Sequence, residues 1–140
     1  TLMRSSAASD VYKRQVLQIK TRANFELTRI ASNRLEFFED GKVAFTYITK
    51  EEMERVGAEN GDHEGIVSIG RDIEGVEVSI FLRETDNGCK ASLRSNEYVN
   101  VSDVCLLLGG GGHIRAAGAT MQCTIEQAKE KILRQIKSVI

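Results

Sequence analysis

The sequence predicts an α/β domain, an α+β sandwich in which a mixed sheet of about five strands carries helices against it. Three observations lead there. Val76, Val78, Ile80 and Leu82 alternate with Glu77, Ser79, Phe81 and Arg83, the period of a half-buried strand. Two capping boxes, Thr49-Lys-Glu-Glu52 and Thr124-Ile-Glu-Gln127, each start a helix by pairing a hydroxyl with a side chain three residues on. Behind the second box, Ile125, Ala128, Ile132, Ile136 and Val139 define an apolar stripe at helical spacing.

The remaining elements follow in order. Residues 1–15 are set aside: Ser5-Ser-Ala-Ala-Ser9 is low-complexity and polar, and Asp10-Val-Tyr-Lys-Arg-Gln15 is what a transposon mosaic end used to fragment DNA for sequencing encodes. They read as a foreign tail, against the rival of a genuine flexible one, so the gene is expected to continue upstream of Val16. Residues 16–34 hold a helix with Ala23, Leu27, Ile30 and Ala31 on its apolar side. Leu35 to Phe38 and Val43 to Ile48 flank Asp40-Gly41, a hairpin signal, with a helix running on through Phe38 as the competitor. The helix begun at Thr49 carries Met53 and Val56 and stops at Gly57. Asp62 is expected to cap a second short helix bearing Ile66, Val67 and Ile69. After the central strand, Asp86-Asn87-Gly88 turns the chain into a strand whose Ala91 and Leu93 face inward, leaving Lys90, Ser92 and Arg94 on the other face. Asn100 opens a helix with Val104, Cys105 and Leu108 inside and Gly109 as its stop, and Ala119 to Cys123 form the last strand.

The chemistry concentrates in Gly109-Gly110-Gly111-Gly112-His113. Four glycines in a row are costly in backbone entropy, so an ordered domain needs a reason for them. One reason is a cradle in which backbone N–H groups converge on an anion, closed by the His113 side chain and underpinned by the small residues Ala116 to Ala119. The rival, a flexible loop, would not carry His-x-x-Ala-Ala-Gly and then an apolar stretch. The run follows a helix C-terminus instead of preceding a helix, which sets it apart from Rossmann and Walker phosphate loops. Arg94, at a strand end in Ser92-Leu-Arg-Ser95, offers a rigid fork for two phosphate oxygens. Arg71 and Arg115 are weaker candidates that solvent alone could explain. Asp62-His63-Glu64 reads as a cap plus surface charge, since adjacent residues on a turn seldom converge on one ion.

Composition narrows the functions. With 140 residues there is room for one modest core, and 41% hydrophobic content is ordinary for a globular domain. A net charge of −1 argues against a generic cationic nucleic-acid binder, so a nucleotide must be held by a few placed donors. No apolar run approaches the ~20 residues of a membrane span, and no secretory signal is visible. Three cysteines and two histidines lack metal-type spacing. The cysteines, Cys89, Cys105 and Cys123, read as reduced thiols of a cytosolic protein, with Cys105 in the core. No acid–base pair, nucleophile or metal constellation emerges, so neither a catalytic residue nor a metal ligand is assigned.

Gly110-Gly-Gly-His-Ile-Arg-Ala-Ala-Gly118 resembles the hallmark of the DHHA1 domain, the C-terminal substrate-binding domain of DHH phosphoesterases. Glu64-Gly-Ile-Val, Ile73-Glu-Gly-Val-Glu-Val and Ser92-Leu-Arg-Ser95 have spacing similar to that of the bacterial nanoRNase/pAp-phosphatase group, bifunctional oligoribonucleases that also act on 3'-phosphoadenosine-5'-phosphate. The resemblance implies an interdomain linker helix at 16–34 and a DHHA1-like domain at 35–140. It implies that Arg94, Ser95, Gly109, Gly110, Gly111, Gly112, His113, Ala117 and Gly118 bind substrate. It further implies a cytoplasmic parent that hydrolyses short oligoribonucleotides or pAp with Mn²⁺ held in an N-terminal DHH domain, with a homodimer left open. The Asp-His-His motif of that domain has no match in residues 16–140, so the fragment alone is expected to be inactive. The alternatives are a single-strand exonuclease, a cyclic-dinucleotide phosphodiesterase, or a nucleic-acid-binding module like the alanyl-tRNA synthetase C-terminus.

Overall fold

Thr21 opens the first helix by accepting a hydrogen bond from the Asn24 N–H, and Leu27 and Ala31 on its inner side are fully buried. This helix, α1, spans Arg22–Asn33. The structure, a computed structural model, describes residues 19–140, so the tail reading of 1–15 and the start of the linker helix lie outside the described residues. The helix stops at Asn33, and the continuation through Phe38 is replaced by the hairpin: β1 (Glu36–Phe38) and β2 (Val43–Ile48) pair antiparallel. The turn holds Glu39, Asp40 and Gly41 at positive φ, which Asp and Gly tolerate best.

From β2 the chain crosses through α2 (Lys50–Arg55) and α3 (Val67–Arg71) to β3 (Val78–Thr85), which lies parallel to β2. Thr49 and Glu52 form the expected capping box, and Gly57, at φ 70°, follows the helix end. The expected cap at Asp62 is not found: α3 begins five residues later at Val67 and has no side-chain cap. Asp62 instead accepts from the Thr21 hydroxyl at 2.7 Å and the Glu59 N–H at 2.8 Å, tying the crossover to the start of α1. The strand β3 is buried on both faces from Val78 to Leu82 rather than half-buried, because helices cover both sides of it.

A two-residue turn at Asp86-Asn87 leads to β4 (Gly88–Ser95), followed by α4 (Val101–Leu107), β5 (Gly111–His113), β6 (Ala116–Met121) and α5 (Ile125–Lys137). Among the described residues the sheet therefore has six strands, in the order β1-β2-β3-β4-β6-β5, one more than expected. The extra strand is the glycine run itself, which pairs with Ala116 to Gly118. The same pairing starts β6 at Ala116 instead of Ala119. Val139 lies beyond the end of α5 and is exposed, whereas Ala128, Ile132 and Ile136 are fully buried.

Sheet alternation sorts the core into two parts. One face packs Val43, Phe45, Val78, Ile80, Leu82 and Leu93 against α4 and α5. The other packs Ile48 and Phe81 against Leu27 and Ala31 of α1, Val67 of α3 and Ile66 just before it. Contact there is close: the Thr46 hydroxyl donates to the Ala31 carbonyl, and a Cβ at Gly70 would lie 2.6 Å from Ser79 Oγ. Cys89 and Cys105 are buried free thiols, each pushed up to about 11 by burial above all. No helix among the described residues is long and apolar enough to cross a membrane.

Candidate functional site

On the face shared with α1 and α3, the sheet opens into a cleft toward β4 and β6. Strand register lays it out in three rows, because residues directly opposite on paired strands project to the same side. The first row is Ser79, Arg94, Ala116 and His113; the second is Phe81, Ser92, Gly118 and Gly111; the third is Arg83, Lys90 and Thr120. The cleft, about 340 Å³, is lined by residues of the second and third rows together with His63, Gly109 and Gly110. None of the lining residues is acidic.

Arg94 is half-buried, and its guanidinium makes one hydrogen bond, donated to the neighbouring Leu93 carbonyl at 3.0 Å, with no ion pair to another described residue. Burial first, then the nearby Arg71 cation, push its pKa below the usual guanidinium value. Arginine nevertheless stays charged. A cation half withdrawn from water without a counter-charge is a ready anion acceptor. His113 is exposed at the end of β5 and shares the first row with Arg94 through Ala116, which pairs with both.

The glycines have a different local explanation from converging N–H groups. The Gly109 N–H donates to the Leu106 carbonyl at 3.2 Å and the Gly110 N–H to the Cys105 carbonyl at 2.7 Å, so both close the end of α4. Gly109 takes φ 86°, a left-handed C-cap. A Cβ on Gly110 would sit 2.1 Å from the Gly118 carbonyl oxygen, and one on Gly112 would sit 2.7 Å from Ala117 Cα. The run is thus an αL stop followed by a strand laid almost against its neighbour, and two of its N–H donors are spent inside the fold. Gly110→Ala is expected to prise β5 from β6 at a cost of roughly 1–3 kcal/mol. Thermal unfolding should register this as a Tm lower by about 5–10 °C.

Other candidates sort by the face they occupy. Gly118 lies in the second row and lines the cleft, with Gly111 opposite it. Ala117 belongs to the core on the opposite face. Ser95 is 4% exposed, and its hydroxyl donates to the Val99 carbonyl at 2.6 Å. Ser95 therefore faces inward, a correction to its expected place at the substrate, because it stands one position past Arg94 on an alternating strand. Arg115 is not merely solvated: it donates to the Val99 carbonyl at 2.6 Å and to the Glu97 carbonyl, clamping the segment between β4 and α4. Arg71 pairs with Asp72 at 3.3 Å.

Sequence reasoning missed Arg83 and His63. Arg83 was visible only as the outward residue of an alternating strand, and its meeting with Lys90 depends on hairpin register. His63 turns from surface charge into cleft wall, half-buried, with Nδ1 buried and without a hydrogen-bond partner among the described residues. Burial, then Arg83, lowers its pKa, outweighing Glu64 and Asp62, so the imidazole is neutral at neutral pH.

The DHHA1 domain model matches residues 40–140, from the first hairpin turn through the whole glycine strand to the end of α5. The chain belongs to the DHHA1 domain family. Over 91 residues this DHHA1 domain is 41% identical to the bifunctional oligoribonuclease and PAP phosphatase NrnA of Thermus thermophilus, covering 64% of the chain and 28% of that protein. It superimposes on an exopolyphosphatase-related protein from Bacteroides fragilis with a TM-score of 0.84 and 28% identity, over 93% of the chain and 38% of that protein. The pGpG-specific phosphodiesterase PggH of Vibrio cholerae shares the fold, at a TM-score of 0.58 and 16% identity, over 98% of the chain and 44% of its own. The chain thus spans less than half the length of each of these relatives.

Proposed function

We propose that this DHHA1 domain is the substrate-holding part of a DHH-family phosphoesterase that cleaves short oligoribonucleotides, 3'-phosphoadenosine-5'-phosphate, or both. The observation that carries this reading is the first row of the cleft face. Arg94 is half-buried and without a carboxylate partner among the described residues, and register sets it beside exposed His113 across Ala116. A terminal phosphate fits there, because a guanidinium fork and an imidazole can each donate to its oxygens while the small side chain of Ala116 leaves room. The likeness to NrnA supports a nucleotide as the rest of the ligand. The glycine strand serves this reading by placing His113: Gly110 and Gly112 let β5 lie close enough to β6 to bring His113 into Arg94's row.

The resemblance to DHH enzymes implies Mn²⁺, which would supply an activated water when bound. The described residues offer no group of three histidine, cysteine, aspartate or glutamate side chains fit to hold an ion. Its ligands on this reading lie in a DHH domain, and the contribution of this chain is positioning. Holding the scissile phosphate in place is a real share of catalysis, since a misplacement of about 1 Å can cost on the order of 100-fold.

Amide NMR of the 140-residue chain titrated with pAp tests the proposal. Shifts concentrated at Arg94, Ala116 and His113, with no hydrolysis when Mn²⁺ is added, are expected. Shifts confined to the opposite face, or turnover by this chain, would overturn it.

A further inference from the structure

The third row carries chemistry that a terminal phosphate does not use. Arg83 and Lys90 stand directly opposite each other on β3 and β4, and neither side chain makes a hydrogen bond or ion pair to another described residue. Like charges in that arrangement destabilise a sheet unless an anion lies between them. A second sign comes from the rest of the lining: His63, Ser92 and Thr120 stand beside these two cations, and no residue that lines the cleft is acidic.

Spacing connects this row to the first. Arg94 and Lys90 are four residues apart on β4, about 13 Å at the rise of a strand. A nucleotide repeat has about twice the backbone bonds of an amino-acid residue, so successive phosphates of an extended strand lie roughly 6–7 Å apart. The two cationic rows are therefore two phosphate spacings apart. The row between them is Phe81, which is buried, then Ser92, Gly118 and Gly111, so the floor there is low on the β4–β6 side.

We propose that Arg83 and Lys90 form a second phosphate subsite, so that this face takes a single-stranded oligonucleotide with at least three phosphates laid along β4. The inference rests on the reading in which Arg94 and His113 hold the terminal phosphate, and it goes beyond it by setting a ligand length. The two phosphates of pAp are about one spacing apart and cannot reach both rows.

Calorimetric titration of the 140-residue chain with a 5'-phosphorylated trinucleotide and with pAp tests the subsite. For Arg83→Gln/Lys90→Gln, affinity for the trinucleotide is expected to fall at least about tenfold while that for pAp changes less than about twofold. The salt slope of trinucleotide binding should also drop by about 0.7, one phosphate neutralisation on a single strand. Equal trinucleotide affinity in the double variant, equal loss for both ligands, or no trinucleotide binding by the wild type would overturn the subsite. Ribo and deoxy trinucleotides are run in parallel, and the tighter one identifies the polymer. Arg94→Ala, which should weaken both ligands, tests the underlying reading separately. Amide shifts in the unmodified chain at Arg83, Lys90 and Thr120 with trinucleotide but not with pAp give the same answer without a variant, and their absence contradicts it.

Discussion

Replacing Arg94 with alanine is expected to weaken binding of a nucleotide terminal phosphate by roughly 10–100-fold while leaving the fold intact. The size follows from charge-assisted hydrogen bonds, each worth about 1.5–3 kcal/mol and more when a guanidinium engages two oxygens at once. The intact fold follows from how little the Arg94 side chain does among the described residues: one hydrogen bond to the adjacent Leu93 carbonyl and no ion pair. Removing it also ends its repulsion with Arg71, so no loss of stability is expected. Arg94→Lys should recover only part of the affinity, because an ammonium is a point charge and cannot present two parallel donors. Titration of pAp into the two variants, with melting curves alongside, reads both quantities. Undiminished affinity in Arg94→Ala would remove this side chain from the site.

That prediction leans on a residue legible in the sequence, and it shows where legibility ended. Alternation at 76–83 and the Asp86-Asn87-Gly88 turn are local signals, and from them the outward face of Lys90, Ser92 and Arg94 could be read correctly. Both capping boxes and the Gly109 stop are local too, and all three appear where expected. What failed was anything decided by a partner distant in sequence. The glycine run looks like a loop by composition and becomes a strand because β6 offers it small residues to lie against. Ser95 looks like part of a substrate motif, yet its parity on β4 turns it to the core side. The cationic pair of Arg83 and Lys90 exists only once the hairpin register is known. Asp62 has the composition of a cap, but Thr21, far upstream, claims it. In each case a nonlocal contact outvoted a local propensity.

The buried carboxylate of Glu77 is the strongest case of such a nonlocal contact, and its removal carries the largest expected loss of stability. It accepts hydrogen bonds from the backbone N–H groups of Glu97, at 3.0 Å, Tyr98, at 2.9 Å, and Val99, at 3.0 Å. Arg115 donates to the carbonyls of Glu97 and Val99 in the same segment, so carboxylate and guanidinium hold the connection between β4 and α4 from both ends. That connection sets where α4 starts, and hence where the glycine strand and His113 fall. Glu77→Ala strands three donors at once, at about 1–3 kcal/mol for each one that water cannot reach. Tyr98 and Glu97 are exposed, so a total near 3 kcal/mol is expected rather than the full sum. Burial alone would raise the Glu77 pKa, but the three N–H donors and Arg115 outweigh it, and the folded value lies below the ordinary carboxylate range. The sign follows: this stability is fully present above the unfolded pKa of about 4.3 and is lost as pH falls through the lower folded value. Glu52, lowered by Arg34 and Thr49 against its own burial, adds a similar acid loss in both proteins and cancels in the comparison. Urea unfolding at pH 7 and pH 3.5 should therefore show Glu77→Gln well below wild type at pH 7, with the gap narrowing in acid. A gap of constant size across that range would mean that the Glu77 charge contributes nothing to holding the segment.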